Sequence, residues 1–232
     1  MKSITLTKVL ETNSFPKIEG SSYLRYYYQQ QCDELNNRRI EAIKLEDFLS
    51  DIRNSDDFET FRECLDSLKR EFLYSSETHG VLHNERVALF SFYLSSKLKL
   101  SARDVRLALY AACYHDIGRR NDWEDDCHGL ASAEKLDSLQ LDVTDEELNI
   151  LKTIITCHSL PDERFDAIAQ ANKIQDWTRT RTLFAILKDS DALDRVRLGY
   201  PYIILELLRN DLTLHMIPLA YELMNFYNSS DF

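Results

Sequence analysis

Glycine and proline are scarce in this sequence, five and four in 232 residues. So few turn residues favour long helices over strands joined by tight turns. No two cysteines are spaced C-x-x-C, and the five present (Cys32, Cys64, Cys113, Cys127, Cys157) are odd in number. A disulfide framework is therefore not expected, and the chain reads as reduced and cytoplasmic. A run of about 18 apolar residues, the length that marks a membrane-spanning helix, is missing. Met1 to Glu11 also lacks the apolar centre of a signal peptide. Positive charge is in deficit: the formal net charge is -11 and the pI about 5.0. Duplex binding depends on neutralising phosphates with Lys and Arg, so nucleic acid is not expected as a partner.

What is present is apolar and aromatic. Hydrophobic residues make up 44%, with twelve Tyr and eleven Phe. That suffices for a sizeable core and excludes disorder as the default. The expected class is all-α, a helical bundle with an N-terminal helical extension. Residues 1–20 read as an extended arm or a short strand. Residues 21–73 read as two or three helices with breaks near Asn36-Asn37 and Asn54 to Asp57. The Tyr23 to Tyr28 run reads as core or interface. A helix follows from His79 to about Leu98. Ser101 and Asp104 signal a helix start, and that helix runs through Tyr114 towards Gly118. Another begins near His128 and reaches Leu139. Thr144 and Glu147 form a capping box opening a helix to about His158, with Pro161 beyond. Arg179 to about Val196 is helical, Gly199 and Pro201 end it, and a last pair of helices follows. The expected organisation is an arm over 1–74, a core over 75–200, and completing helices over 201–232.

Ionisable residues recur at the inner ends of these apolar helices. His83 shares a face with Val87 and Phe90. His115 and Asp116 follow the apolar stretch from Val105 to Tyr114. His158 continues the stripe of Leu148, Leu151, Ile154 and Ile155. Asp191 continues Leu183 and Leu187 at steps of four. His128 opens its own helix. A buried imidazole or carboxylate needs a partner to offset desolvation, and a metal ion would satisfy several at once. Imidazole with carboxylate suits manganese, iron, cobalt, nickel or zinc. A lone buried histidine is more often structural, and His79 and His215 are read that way. A bare HD dipeptide is weak evidence; the full ordered set, each member at an apolar helix end, is strong.

The order H…HD…H…H…D resembles the HD superfamily of metal-dependent phosphohydrolases. His83 with Arg86-Val87 matches its first motif, His115-Asp116-Ile117-Gly118 the namesake motif, and Asp191 in L-K-D-S-D-A-L-D the terminal Asp motif. The resemblance covers roughly residues 75–200. It implies a helical bundle with a central metal site. His83, His115, Asp116 and Asp191 would hold one metal, and Asp116 would bridge to a second held by His128 and His158. It implies hydrolysis of a phosphoester, in a nucleotide or other small phosphorylated metabolite, by metal-activated water. The sequence departs from two subgroups. It lacks the acidic pair that follows HD in guanosine tetraphosphate hydrolases, and the G-Y-P triplet of cyclic-di-GMP phosphodiesterases.

Basic residues near the motifs are the candidate phosphate contacts: Arg86, Arg119, Arg120 and Lys135 for substrate binding, with Lys188, Arg195 and Arg197 around the Asp motif. Asp116, Arg86 and Arg119 are the expected catalytic residues. Loop 119–127 must border the site; it either closes over substrate or is anchored in the fold by Trp123. Cys113, Cys127 and Cys157 read as small packing residues rather than ligands. A diiron oxygenase with the same ligand set and a non-catalytic binding module that pairs with a nucleotide or a partner are the alternatives, and a homodimer is allowed.

Overall fold

In the computed structural model the described residues are 4–12, 17–18, 22–199 and 203–229. Among them the secondary structure is helical throughout, as the scarcity of turn residues predicts. The α-helices are α1 (Ile4–Glu11), α2 (Ser22–Asn37), α3 (Leu45–Arg53), α4 (Phe58–Asp66), α5 (Val81–Lys97), α6 (Ala102–Tyr114), α7 (His128–Lys135), α8 (Asp145–His158), α9 (Phe165–Ala171), α10 (Trp177–Asp194) and α11 (Asp211–Ser229). No helix among these residues is long and apolar enough to cross a membrane.

The capping signals read from the sequence operate where they were expected. The Ser101 side chain accepts from the Asp104 N–H at the start of α6. Thr144 and Glu147 form a reciprocal box at the start of α8. Each satisfies backbone donors that a helix start leaves unpaired. The breaks expected near Asn36-Asn37 and Asn54 to Asp57 also fall where α2 and α3 end.

Three expectations are corrected. Residues 4–11 are helical, not extended: Leu6 and Val9, three apart, are buried, and Arg53 donates to the carbonyls of Leu10 and Thr12 at the helix end. A short α9 lies between His158 and α10, where no helix was expected. Among the described residues the last segment has one α-helix, after a single 3-10 turn at Leu205–Leu207, rather than two. Pro218 lies inside it, and burial of Met216, Ile217, Leu219 and Ala220 on both sides holds the helix through the proline. The turn expected at Pro201 lies outside the described residues.

The centre of the molecule is made by α5, α6, α8 and α10. Val87, Leu89, Phe90 and Leu94 of α5 pack with Leu107, Leu109 and Ala111 of α6, Leu151 and Ile154 of α8, and Leu183 and Leu187 of α10, all essentially without solvent contact. One apolar cluster continues from Leu6 to Tyr227, so the first and last helices share this core. Two glycines set the spacing at one end of it. A side chain on Gly118 would collide with backbone of His128, Ala131 and Ser132, and one on Gly129 with the carbonyls of Ile155 and Thr156. Close approach of α7 to the end of α6 and to α8 therefore requires glycine at both.

Candidate metal centre

The end of α6, the starts of α5 and α7 and the ends of α8 and α10 bring the six predicted residues together. His83, His115, Asp116, His128 and His158 are buried, and Asp191 is partly open to a cavity. Each histidine is anchored through Nδ1. His115 Nδ1 faces the Ala112 carbonyl at 2.8 Å, His158 Nδ1 the Ile155 carbonyl at 2.6 Å, and His128 Nδ1 the Asp125 carbonyl. His83 Nδ1 faces Asp194 Oδ2 at 2.7 Å. Carbonyls and carboxylates only accept, so all four Nδ1 atoms carry the proton and donate it. The Nε2 atoms are left with their lone pairs.

These lone pairs meet. His83 Nε2 lies 3.0 Å from His115 Nε2, and His128 Nε2 lies 2.8 Å from His158 Nε2. With no proton between them, neither pair is a hydrogen bond. Burial pushes His115 down to about 3, so it is neutral at pH 7, and burial also lowers His83. Two lone pairs held this close repel, and a cation between them would offset that repulsion. Nitrogens about 2.1 Å from one ion and at right angles to each other are about 3.0 Å apart, which is the spacing found here.

Asp116 stands between the two pairs. Its Oδ2 lies 3.6 Å from His83 Nε2 and 3.8 Å from His115 Nε2. Its Oδ1 lies 3.2 Å from His128 Nε2 and 3.5 Å from His158 Nε2. Oδ1 is buried with no hydrogen-bond donor. A buried anionic oxygen in that state is costly, and a cation is the partner the surrounding lone pairs permit. Asp191 Oδ1 completes the first group, 3.4 Å from His83 Nε2 and 4.0 Å from His115 Nε2. The donor set thus could hold metal, and Asp116 belongs to two of the groups that could do so. Three overlapping groups competent to hold metal occur here: His79/His83/Asp116, His83/His115/Asp191 and His115/Asp116/His158.

His79, read from the sequence as structural, lies beside the centre and belongs to one of the groups that could hold metal. Its Nδ1 is 3.4 Å from Asp116 Oδ2, and it lines the cavity. His79 lies in the turn before α5, so no helical stripe in the sequence marks it. His215 is correctly apart from the centre; its Nδ1 donates to the Glu41 carbonyl.

The basic residues divide differently from expectation. Arg86 is not available for substrate or catalysis. It is 2% exposed, gripped by Asp194 through Nε at 2.5 Å and Nη2 at 3.0 Å, with Tyr227 stacked 5.0 Å away. Lys135 is spent on the Ile117 carbonyl, and neither it nor the exposed Arg120 lines the cavity. Arg119 does line it, 3.0 Å from Asp116 Oδ2 and 3.2 Å from the Trp123 carbonyl. Arg197 is the residue most underrated by the sequence. Its side chain is 5% exposed, Nη1 donates to the Asp194 carbonyl at 2.9 Å, Nη2 lies 3.2 Å from His79 Nδ1, and Nε has no partner. Asp189, next to the Asp motif, holds the start of α11 by accepting from Asn210 N and Thr213 Oγ1.

The cavity over this cluster has a volume of about 580 Å³. Trp123 is not an anchor; it is 80% exposed and lines the cavity. Burial pushes the Cys157 thiol up to about 12 and Cys113 upward as well, which suits packing residues, whereas Cys127 is exposed rather than packed.

The fold and the cluster together define an all-helical protein with a buried His/Asp centre that could hold metal, compatible with an HD-type site. No protein-family model matches the chain, and neither a curated protein nor a solved structure matches it.

Proposed function

We propose that this chain is a metal-dependent phosphohydrolase of the HD type, acting on a small phosphorylated molecule in the cytoplasm. One observation carries this: four imidazoles anchored through Nδ1 converge their Nε2 atoms on the two oxygens of one buried carboxylate. His83, His115, Asp116 and Asp191, with His79 beside them, would hold one ion. Asp116, His128 and His158 would hold the second. Bound there, divalent manganese, iron, cobalt, nickel or zinc supplies Lewis acidity towards a phosphoryl oxygen and a water of lowered pKa.

The chain's own groups bind and orient the ester. Arg197, fixed through Nη1 by Asp194, lines the cavity and would bring its positive charge to a phosphoryl oxygen. Arg119 ties Asp116 to the Trp123 carbonyl and so couples loop 119–127 to the centre. Both guanidiniums favour a substrate whose charge grows on phosphoryl oxygens during displacement. The Nδ1 donations keep every imidazole in the tautomer that presents Nε2 inward.

Elemental mass spectrometry on untagged protein, with a phosphoesterase screen on the same sample, tests this directly. About two transition metals per chain and turnover of phosphate esters are expected. Asp116→Ala should lose both while its helical circular dichroism persists. Full metal content in that variant would overturn the bridging role of Asp116.

A further inference from the structure

His79 differs from the four other imidazoles of the centre in where its proton sits. Arg197 Nη2 lies 3.2 Å from His79 Nδ1. A guanidinium has only donors, so this Nδ1 accepts. The ring proton is then on Nε2. That is the opposite tautomer to His83, His115, His128 and His158, whose Nδ1 atoms all donate. Arg197 is held firmly enough to impose it: its side chain is 5% exposed and Nη1 donates to the Asp194 carbonyl at 2.9 Å.

The tautomer decides what His79 can do. A metal takes the lone pair of a bare ring nitrogen. The His79 nitrogen facing the centre is Nδ1, 3.4 Å from Asp116 Oδ2, and its lone pair is engaged by Arg197. The other nitrogen, Nε2, carries the proton. It has no partner among the described residues, yet it is not among the buried polar atoms left without one, so it keeps contact with solvent. His79 is 8% exposed and lines the cavity, and this N–H therefore opens there. The ring is also fixed in place. The His79 backbone N–H donates to Ser76 Oγ at 3.1 Å, and the ring stands edge-on to His83 with centroids 5.8 Å apart. A donor on a largely buried ring is costly to leave unused, and an anionic ligand in the cavity supplies the acceptor.

We propose that His79 is not a metal ligand but a hydrogen-bond donor to substrate, giving Nε2–H to a phosphoryl oxygen of the ester held at the centre, with Arg197 fixing the tautomer that allows it. This rests on the phosphohydrolase reading and adds to it a residue that touches the substrate. The ring keeps its proton throughout. Its contribution is to orient the phosphoryl group and to stabilise the charge on its oxygens.

Two amide variants separate the two ring nitrogens. Asparagine puts its amide near the position of Nδ1, and glutamine puts its amide near that of Nε2. The probe is inorganic phosphate, bound to the manganese-loaded full chain and read by calorimetry. Manganese content is measured on the same samples, and turnover of p-nitrophenyl phosphate separately. His79→Asn is expected to bind phosphate about tenfold more weakly, the loss of one hydrogen bond to a charged group, and His79→Gln to stay within about threefold of the parent. Manganese content should be unchanged in both. The same split between the variants in a parent that shows no turnover would uphold the donor and count against hydrolysis alone. Loss of manganese in both variants would make His79 a ligand and overturn the proposal. Equal phosphate affinity in all three proteins, a weakening in His79→Gln as large as in His79→Asn, or no phosphate binding by the manganese-loaded parent would overturn it as well.

Discussion

Asp194 does not line the cavity, yet it governs how His83 meets a metal. Its Oδ2 accepts from His83 Nδ1 at 2.7 Å, and its two oxygens are gripped by Arg86 at 2.5 and 3.0 Å. Burial alone would raise this carboxyl, but the adjacent Arg86 and His83 hold it well below the usual carboxylate range. It is therefore an ionised acceptor that fixes the His83 tautomer and raises the basicity of Nε2. Partners of this kind are worth about 10–100-fold in metal affinity when removed. Asp194→Asn should accordingly bind manganese about 10–100-fold more weakly, measured by competition with a chromogenic chelator, while His128 and His158 retain their geometry. An unchanged affinity would mean that Asp194 only neutralises Arg86. The sequence offered Asp194 in the L-K-D-S-D-A-L-D motif, three residues after a predicted ligand. Its role was not legible because the partner, His83, is 111 positions away.

Elements show which parts of the sequence carry local information. The α6 and α8 starts were readable because a cap is a contact between residues three apart. Apolar stripes leading to His158 and Asp191 were readable for the same reason, and they brought the six ligand candidates to one place. Residues 4–11 were not, since that helix depends on Arg53 and on the core rather than on its own signals. The α8 cap also carries long-range charge. Glu147 accepts from Arg103 Nε at 2.8 Å and Nη2 at 2.6 Å and from Arg179 Nη2 at 3.1 Å. Those contacts, Arg103 first, hold its carboxyl below the usual 4.5. A depressed carboxyl stabilises the fold above its unfolded value and loses that effect as pH falls. Glu147→Gln should cost about 2 kcal/mol at pH 7. That is about 4–8 °C in melting temperature for a chain of this size. The gap between variant and parent should narrow below about pH 4.5, as Glu147 in the unfolded parent takes up a proton that the folded carboxylate refuses. Gly129 belongs to this scale as well. An added methyl at Gly129 would meet the Ile155 carbonyl at 2.6 Å and so push α7 away from α8. Gly129→Ala should then separate His128 from His158 and lower metal content from about two ions towards one. A variant that keeps both ions would show that α7 can shift without disturbing the pair.

At the scale of the molecule, the centre joins five helices that the sequence separates widely: His83 in α5, His115 and Asp116 just after α6, His128 in α7, His158 in α8 and Asp191 in α10. Ions bound only by the folded chain stabilise it by mass action, about 4 kcal/mol at a thousandfold excess over Kd. That corresponds to about 8–16 °C in melting temperature, so chelation should lower it by that order. The metal-free protein should also be sensitive to acid in a defined direction. Burial holds His115 at about 3 against an ordinary 6.5, and lowers His83 too. Below pH 6.5 the unfolded chain takes up protons that these folded imidazoles refuse. A histidine with a lowered folded pKa thus leaves stability whole above 6.5 and erodes it as pH falls towards the folded value. Each such proton changes stability by about 1.4 kcal/mol per pH unit. The depressed Asp194 acts in the same sense at lower pH. Thermal melts of chelated protein from pH 8 to 4 should show a plateau above about 6.5 and a steady fall below it. His115→Gln, which keeps a polar side chain without a titrating ring, should make that fall shallower by roughly one proton. An unchanged slope in this variant would mean that His115 is protonated within the folded protein, and the convergence of free lone pairs on Asp116 would lose its basis.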